Sequence, residues 1–223
     1  MEELKIIELK ESVFADNDAE AEKLRGDLKA KGQFLLNLMS SPGSGKTTTL
    51  LKLIESLKDR YKIGVMEADI DGAVDADEIQ RETGARAIQL HTGGMCHLDA
   101  GMTRQGIESL DAEGLDLIFL ENVGNLVCPA EFDTGASKCA VILSVPEGDD
   151  KPLKYPLMFE KGDVVILNKI DVLPYFDFSM DTFTTYLRAR NSHCDLIPIS
   201  AKTGEGMDKL ASWVADEMEA WRK

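Results

Sequence analysis

Histidine, cysteine and aromatic side chains are scarce in this sequence: three histidines, four cysteines and 6% aromatics among 223 residues. No uninterrupted apolar run approaches the ~18–20 residues of a membrane span, so a spanning helix and a membrane partner are excluded. The opening stretch "MEELKIIELKESVF" is too charged for a secretory signal and too acidic for a transit peptide, and the expected location is cytoplasmic. Positive charge is also short. Lys and Arg number 25 against 40 Asp and Glu, a formal net charge of −15. Such a chain repels a nucleic-acid backbone, so no nucleic-acid partner is expected. The four cysteines, at 96, 128, 139 and 194, do not form the dense pattern of a disulfide scaffold. Metal binding or plain burial is the better use for them.

What is present is an ordinary globular composition, 43% hydrophobic and 29% charged, on a length that suits one α/β core. The segment "DNDAEAEKLRGDLKAKG" offers Asp16, Asn17 and Asp18 as helix caps and Gly32 as a stop, and reads as a surface helix. Seven short apolar runs then read as strands: "QFLLNLMSS", "KIGVMEAD", "ARAIQLHT", "LDLIFLEN", "KCAVILSV", "DVVILNKI" and "CDLIPIS". Helical patterns such as "TTTLLKLIESLKDR" and "VDADEIQRETG" separate most of them, and "GMDKLASWVADEMEAWRK" closes the chain. Alternation of this kind predicts an α/β fold, a mainly parallel sheet with helices on both faces. Ligands of such sheets sit at the carboxyl ends of strands, and each motif below falls at such an end.

"SSPGSGKTTTL", residues 40–50, follows a strand and opens a helix, the context a P-loop requires. Backbone N–H groups around Gly43, Ser44, Gly45 and Lys46 would cradle phosphates at a helix N-terminus. Lys46 would reach the β- and γ-phosphates, the Thr47 hydroxyl would ligate Mg²⁺, and Thr48 would donate to an α-phosphate oxygen. One departure stands out: Ser40 occupies the first glycine position of the usual pattern. "ILNKID" places Asn168, Lys169 and Asp171 at another strand end. The Asp171 carboxylate can accept both N1–H and the exocyclic amine of guanine, whereas adenine would leave it unpaired. Asn168 would hold the loop and the Lys169 stem would lie along the base. In "PISAKTG", which includes Ser200, the backbone of Ala201 or Lys202 is placed to read guanine O6. The three motifs in order favour GTP over ATP.

"LIFLENVG" supplies Glu121, an acid able to hold Mg²⁺ directly or through water, and Gly124, whose N–H would touch a γ-phosphate. "MEADIDG" adds Glu67, Asp69 and Asp71. These would hold Mg²⁺ or orient the attacking water, with Asp69 the chosen catalytic candidate beside Lys46 and Glu121; a solvated acidic loop is the alternative. No glutamine stands beside Gly124 to position water, so slow intrinsic hydrolysis is expected.

"HTGGMCHLDAGM" brings Cys96 and His97 together after two glycines, and Cys128 follows the next acid-bearing strand. Two thiolates and an imidazole suit Zn²⁺ or Ni²⁺ with one position open for exchange. Two buried cysteines and an exposed histidine would need no metal, and that alternative stands on spacing alone. Cys139 lies in an apolar run and reads as a buried small hydrophobe. His193-Cys194 reads as a loop entering a strand, and Trp213 and Trp221 as packing residues.

"NLMSSPGSGKTT", "GGMCHLDA", "ENVGNLVCPAEFD", "EGDDKPLKYP" and "NKIDVLPYFDF" together resemble the HypB family, GTPases that assist nickel insertion into [NiFe]-hydrogenase, over roughly residues 20–220. The resemblance implies a SIMIBI-class G domain that forms a GTP-dependent homodimer. It also implies a metal site at the dimer interface from Cys96, His97 and Cys128, and as partners a HypA-type nickel chaperone and the hydrogenase large-subunit precursor. It divides the chain into an N-terminal surface segment with a helix, residues 1–30, and a P-loop GTPase domain with inserted metal-binding loops, residues 31–223. Two family features are missing: no cysteine precedes Cys96 and no histidine precedes His91. Nickel capture by an N-terminal cysteine motif and storage by a histidine tract are therefore not expected. Val172, Pro174, Tyr175 and Phe176 read equally as a partner surface or as packing. Lys151 and Lys154 would reach a nucleotide across a dimer or pair on the surface. A urease-type or other metallocentre GTPase, or a metal-storage protein with a structural nucleotide, are the alternatives; the former carries a Cys-Pro-His motif that this chain lacks.

Overall fold

The structure is a computed structural model that describes residues 9–69 and 74–223. Asp71 and the first eight residues of the N-terminal segment lie outside the described residues. All seven expected strands form. They are β1 (Phe34–Ser40), β2 (Ile63–Asp69), β3 (Arg86–His91), β4 (Leu117–Glu121), β5 (Lys138–Ser144), β6 (Val164–Asn168) and β7 (Asp195–Pro198). They make one sheet in the order β3-β2-β4-β1-β5-β6-β7, parallel throughout. β1 is central, paired with β4 through Leu38↔Glu121 and with β5 through Leu38↔Ala140. The chain leaves β1 toward β2 and returns on its other side as β5, so the crevice past Ser40 is the topological switch point where ligands bind.

Alternation along β1 explains the two layers. Phe34, Leu36 and Leu38 face one cluster, built with Leu50, Leu53 and Ile54 of α2 (Lys46–Leu57), Ile79 of α3 (Val74–Thr83) and Leu210, Val214 and Met218. Leu35 faces the second cluster with Leu24 and Leu28 of α1 (Leu9–Ala30) and Ile107 of α4 (Ala100–Ser109). Met39 joins a third with Ala130 of α5 (Cys128–Glu131), Met158 and Phe159 beyond α6 (Lys151–Lys154) in α7 (Pro156–Lys161), and Phe183 and Leu187 of α8 (Met180–Arg190). The last helix, α9 (Met207–Arg222), supplies both tryptophans: Trp213 donates to Asp195 Oδ2 (2.8 Å) and Trp221 to Gln33 O (2.8 Å). Each fully buried Leu, Ile or Phe contributes about 1.5–3 kcal/mol, so this paired core fixes the strand ends that carry the motifs.

The expected helix near residue 16 begins earlier, at Leu9, and this corrects the capping assignment. Asp16, Asn17 and Asp18 lie inside α1 and cannot cap it. Tertiary contacts extend the helix past residues that prefer caps. Asn17 instead turns its amide outward: its Oδ1 accepts the Ala100 N–H at the start of α4 (2.9 Å) and its Nδ2 donates to Asp133 O (3.0 Å). No helix among the described residues is long and apolar enough to cross a membrane.

Candidate functional site: a phosphate crevice beside a thiol pair

The strand-to-helix turn after β1 has Gly43 at φ 75° and Gly45 at φ 94°, left-handed values that favour glycine. Gly45 has a second constraint, since a Cβ there would come within 2.4 Å of Asn168 Nδ2. Ser40 is not among the left-handed residues. It is the last residue of β1 and its hydroxyl donates to Ser41 O (2.8 Å), so this position does not require glycine.

A cavity of about 640 Å³ opens over the turn, lined by Gly43, Gly45, Lys46, Thr47 and Thr48 on one side and Glu67, Asp69, Glu121, Gly124 and Lys169 on the other. Inside it Thr47 Oγ1 donates to Glu121 Oε1 (3.1 Å), and Lys46 Nζ lies 3.9 Å from the same oxygen. Glu121 is only 2% exposed, so the pair is largely out of water. A hard-oxygen pair beside a phosphate cradle fits Mg²⁺. Gly124 packs against Pro42, with an added Cβ at 3.3 Å from Pro42 Cγ, so the loop after β4 rests directly on the phosphate turn. Glu67 is buried and receives a hydrogen bond from Gln89.

The base-reading loop is tied to the same turn. Asn168 Nδ2 donates to Ser44 O (3.0 Å) while its Oδ1 accepts the N–H groups of Lys169 (2.7 Å) and Ala201 (3.1 Å). Lys169 adopts φ 63°, rare outside glycine, and its ammonium donates to Gly43 O (2.7 Å). Asp171 Oδ1 accepts the Ser200 hydroxyl (2.7 Å). Ala201 N–H is committed to Asn168, so of the two backbone donors expected to read a base only that of Lys202 stays available.

Two braces that the motif reading missed, the Asn37–Asn122 pair and Glu147, support the crevice. Asn122 Nδ2 donates to Asn37 Oδ1 (3.1 Å), both side chains buried, and Asn122 Oδ1 accepts the Val123 N–H (2.9 Å). An asparagine inside the apolar run "FLLNLMS" was the available signal, because a buried amide demands a partner. Glu147 is the other: it accepts the Ser41 hydroxyl, and its other oxygen accepts from Ser144 N (2.7 Å), linking the phosphate turn to the end of β5.

The thiols lie on the next two loops. After β3, Thr92 Oγ1 donates to Met95 O (2.6 Å), and Gly93 and Gly94 take left-handed φ of 64° and 94°, which turns the chain toward Cys96. After β4, Asn125 Oδ1 accepts the N–H groups of Val127 (2.7 Å) and Cys128 (3.3 Å), starting α5 with Pro129 in its first turn. The neighbouring Cys128 thiol, more than burial, raises the Cys96 thiol above its ordinary pKa. His97 is turned onto Phe132, rings stacked 4.0 Å apart at 7°, with its Nδ1 buried and lacking a hydrogen-bond partner. Among the described residues no three His, Cys, Asp or Glu side chains converge as an ion site. Thus one chain pairs the two sulfurs and holds the imidazole apart. Two free thiols and an orphaned ring nitrogen still match a soft metal's preferences.

Cys139, expected to be buried, is half-buried at the edge of the third cluster, and desolvation pushes its thiol up to about 12. Cys194 is buried, with its carbonyl accepting from Arg188, and His193 is exposed. Lys154 pairs with Asp150 (2.5 Å) and Lys151 lies over the Tyr155 ring. Tyr175, the last residue of the 3₁₀ turn Ile170–Tyr175, and Phe176 just past it are exposed.

Residues 34–198 match the family described as CobW/HypB/UreG, nucleotide-binding domain. The hydrogenase maturation factor HypB of Rhizobium leguminosarum bv. viciae is 47% identical over 223 residues, all of this chain and 74% of the relative. The chain belongs to the HypB family. The structure of HypB from Helicobacter pylori in complex with nickel superposes with a TM-score of 0.87 at 36% identity, covering 92% of this chain and 96% of that one. The signal recognition particle 54 kDa protein of Aeropyrum pernix K1, in complex with GDP, matches with a TM-score of 0.57 at 16% identity, over 92% of this chain and 53% of that one, a likeness of fold alone.

Proposed function

We propose that this chain is a slow GTPase that serves nickel insertion during [NiFe]-hydrogenase maturation, with nucleotide state coupled to the Cys96/His97/Cys128 site. The observation that carries the reading is one continuous loop. Gly124 rests on Pro42 of the phosphate turn, and four positions on, Cys128 stands beside the Cys96 thiol.

The reaction is GTP + H₂O → GDP + phosphate. The 43–48 turn holds the phosphates, Lys46 offsets negative charge gathering on the β–γ bridge, and Asp171 with the Lys202 backbone selects guanine. Thr47 and Glu121 would hold Mg²⁺, which when bound supplies charge neutralisation at the phosphates. Asp69, on the cavity wall, orients water. Loss of the γ-phosphate frees Gly124, and the segment 124–128 relaxes with it. Nickel is the cargo: Cys96 and Cys128 offer two thiolates and His97 an imidazole, and a second copy of the chain in a GTP-dependent homodimer brings equivalent donors alongside. A HypA-type chaperone and the hydrogenase precursor are the proposed donor and recipient, and the cytoplasm the setting.

The test is phosphate release from GTP by the intact chain and by Lys46→Ala. Removing this charge is expected to cost about 100-fold or more. Release that survives the substitution, or that runs equally well on ATP, contradicts the mechanism.

A further inference from the structure

Helix α1 contacts both ligand-bearing loops. Asn17 accepts the first N–H of α4, the helix that opens three residues after His97, and donates to Asp133 O, just past α5 and Cys128. One helical turn before it, Phe14 packs tilted at 36° against Phe132 with ring centroids 4.9 Å apart, and Phe132 also carries the His97 ring. Two turns after Asn17, Arg25 grips the Asp133 carboxylate with both oxygens at 2.8 Å and donates to Ala136 O (3.0 Å). Arg104 of α4 closes the arrangement through Asp27 (2.8 Å) and Glu20. Residues 14, 17 and 25 recur at helical spacing on one face.

We infer that α1 is the positioning element of the metal site, with Asn17 as the positioning residue that sets the Cys96-His97 loop against the Cys128 segment. It acts through backbone groups of both loops and touches no ligand atom, and Phe14 fixes the imidazole through Phe132. The inference rests on the metal reading given above. Supporting contacts of this kind set ligand orientation, and their loss costs about 10–100-fold in metal affinity.

The experiment titrates the full chain with Ni²⁺ alone against a competing chelator, recording the thiolate-to-nickel charge-transfer band, and measures fluorescent-GDP binding on the same samples. Asn17→Ala is expected to weaken Ni²⁺ binding by about tenfold or more and to alter the band, with GDP affinity unchanged. Asn17→Asp keeps the acceptor facing α4 and loses the donor facing Asp133, so it recovers part of the affinity. Phe14→Leu keeps apolar volume and gives a smaller loss of the same kind. Unaltered Ni²⁺ affinity and band in Asn17→Ala and Phe14→Leu overturn the inference. If Asn17→Ala loses GDP binding as well, its fold has failed, and Asn17→Asp with Phe14→Leu decide the matter by the same criteria. If the intact chain's Ni²⁺ binding is indifferent to Cys128→Ser, the metal reading itself fails and takes this inference with it.

Discussion

The nucleotide end and the thiol end of this molecule are built to different degrees of completion. At the nucleotide end, the carboxyl ends of β1, β4 and β6 bring Lys46 and Thr47 into contact with Glu121, and Asn168 into contact with Ser44, within one chain. At the thiol end, two sulfurs meet while the imidazole stacks on Phe132. The first site is anchored at the sheet, with Glu121 and Asn168 on strand ends and Lys46 and Thr47 at the start of α2. The second is carried by two loops braced by a helix from the start of the chain. Under the proposed function, a site that holds its ligand and one that passes a metal on have opposite needs, and a partly assembled site needs only a small loop movement to change affinity.

The sharpest break between the two ends is Cys128→Ser. It should lower Ni²⁺ affinity by more than the ~10–100-fold that loss of a supporting contact costs, while GTP binding in the absence of metal stays intact. Chelator competition beside nucleotide titration reads both, and an equal loss at the two ends would erase the distinction. Asp171→Asn breaks the other end: it removes charge-assisted hydrogen bonds of about 1.5–3 kcal/mol, so GTP should bind about 10–100-fold more weakly with Ni²⁺ binding unchanged. Gly45→Ala probes preorganisation. Its left-handed φ and the 2.4 Å approach to Asn168 Nδ2 should cost about 1–3 kcal/mol, read as a lower Tm and weaker GDP binding. The smallest effect concerns Cys139. Burial raises its pKa to about 12, so at pH 8 the thiol stays protonated and should resist iodoacetamide, becoming reactive only as pH rises toward that value. Mass-mapped alkylation at that site under native conditions would contradict the burial.

Strands were the most legible part of the sequence, because each buried parallel strand is a short apolar run bounded by turn residues. The turn at 43–48 and the loop at Asn168–Asp171 were legible for a related reason: each motif lies in consecutive residues. The brace at Asn37 and Asn122 was not, since its partners lie 85 positions apart and neither belongs to a phosphate motif. Asn17 was misassigned on a sound local rule. Asx residues favour helix caps, and here one does serve a helix start, but that of α4, 83 positions away. The separation of His97 from the two sulfurs was equally hidden. Adjacency of Cys96 and His97 in sequence says nothing about which neighbour each side chain selects.

The central claim is that the phosphate state of the crevice sets the affinity of the thiol site. Ni²⁺ affinity measured with a non-hydrolysable GTP analogue and with GDP, with molecular mass recorded in each, tests it directly. The account predicts affinities that differ by about fivefold or more, matched by the same factor in the effect of Ni²⁺ on nucleotide affinity, and a dimer in the GTP-analogue state. Equal Ni²⁺ affinity and equal mass in the two states would contradict it.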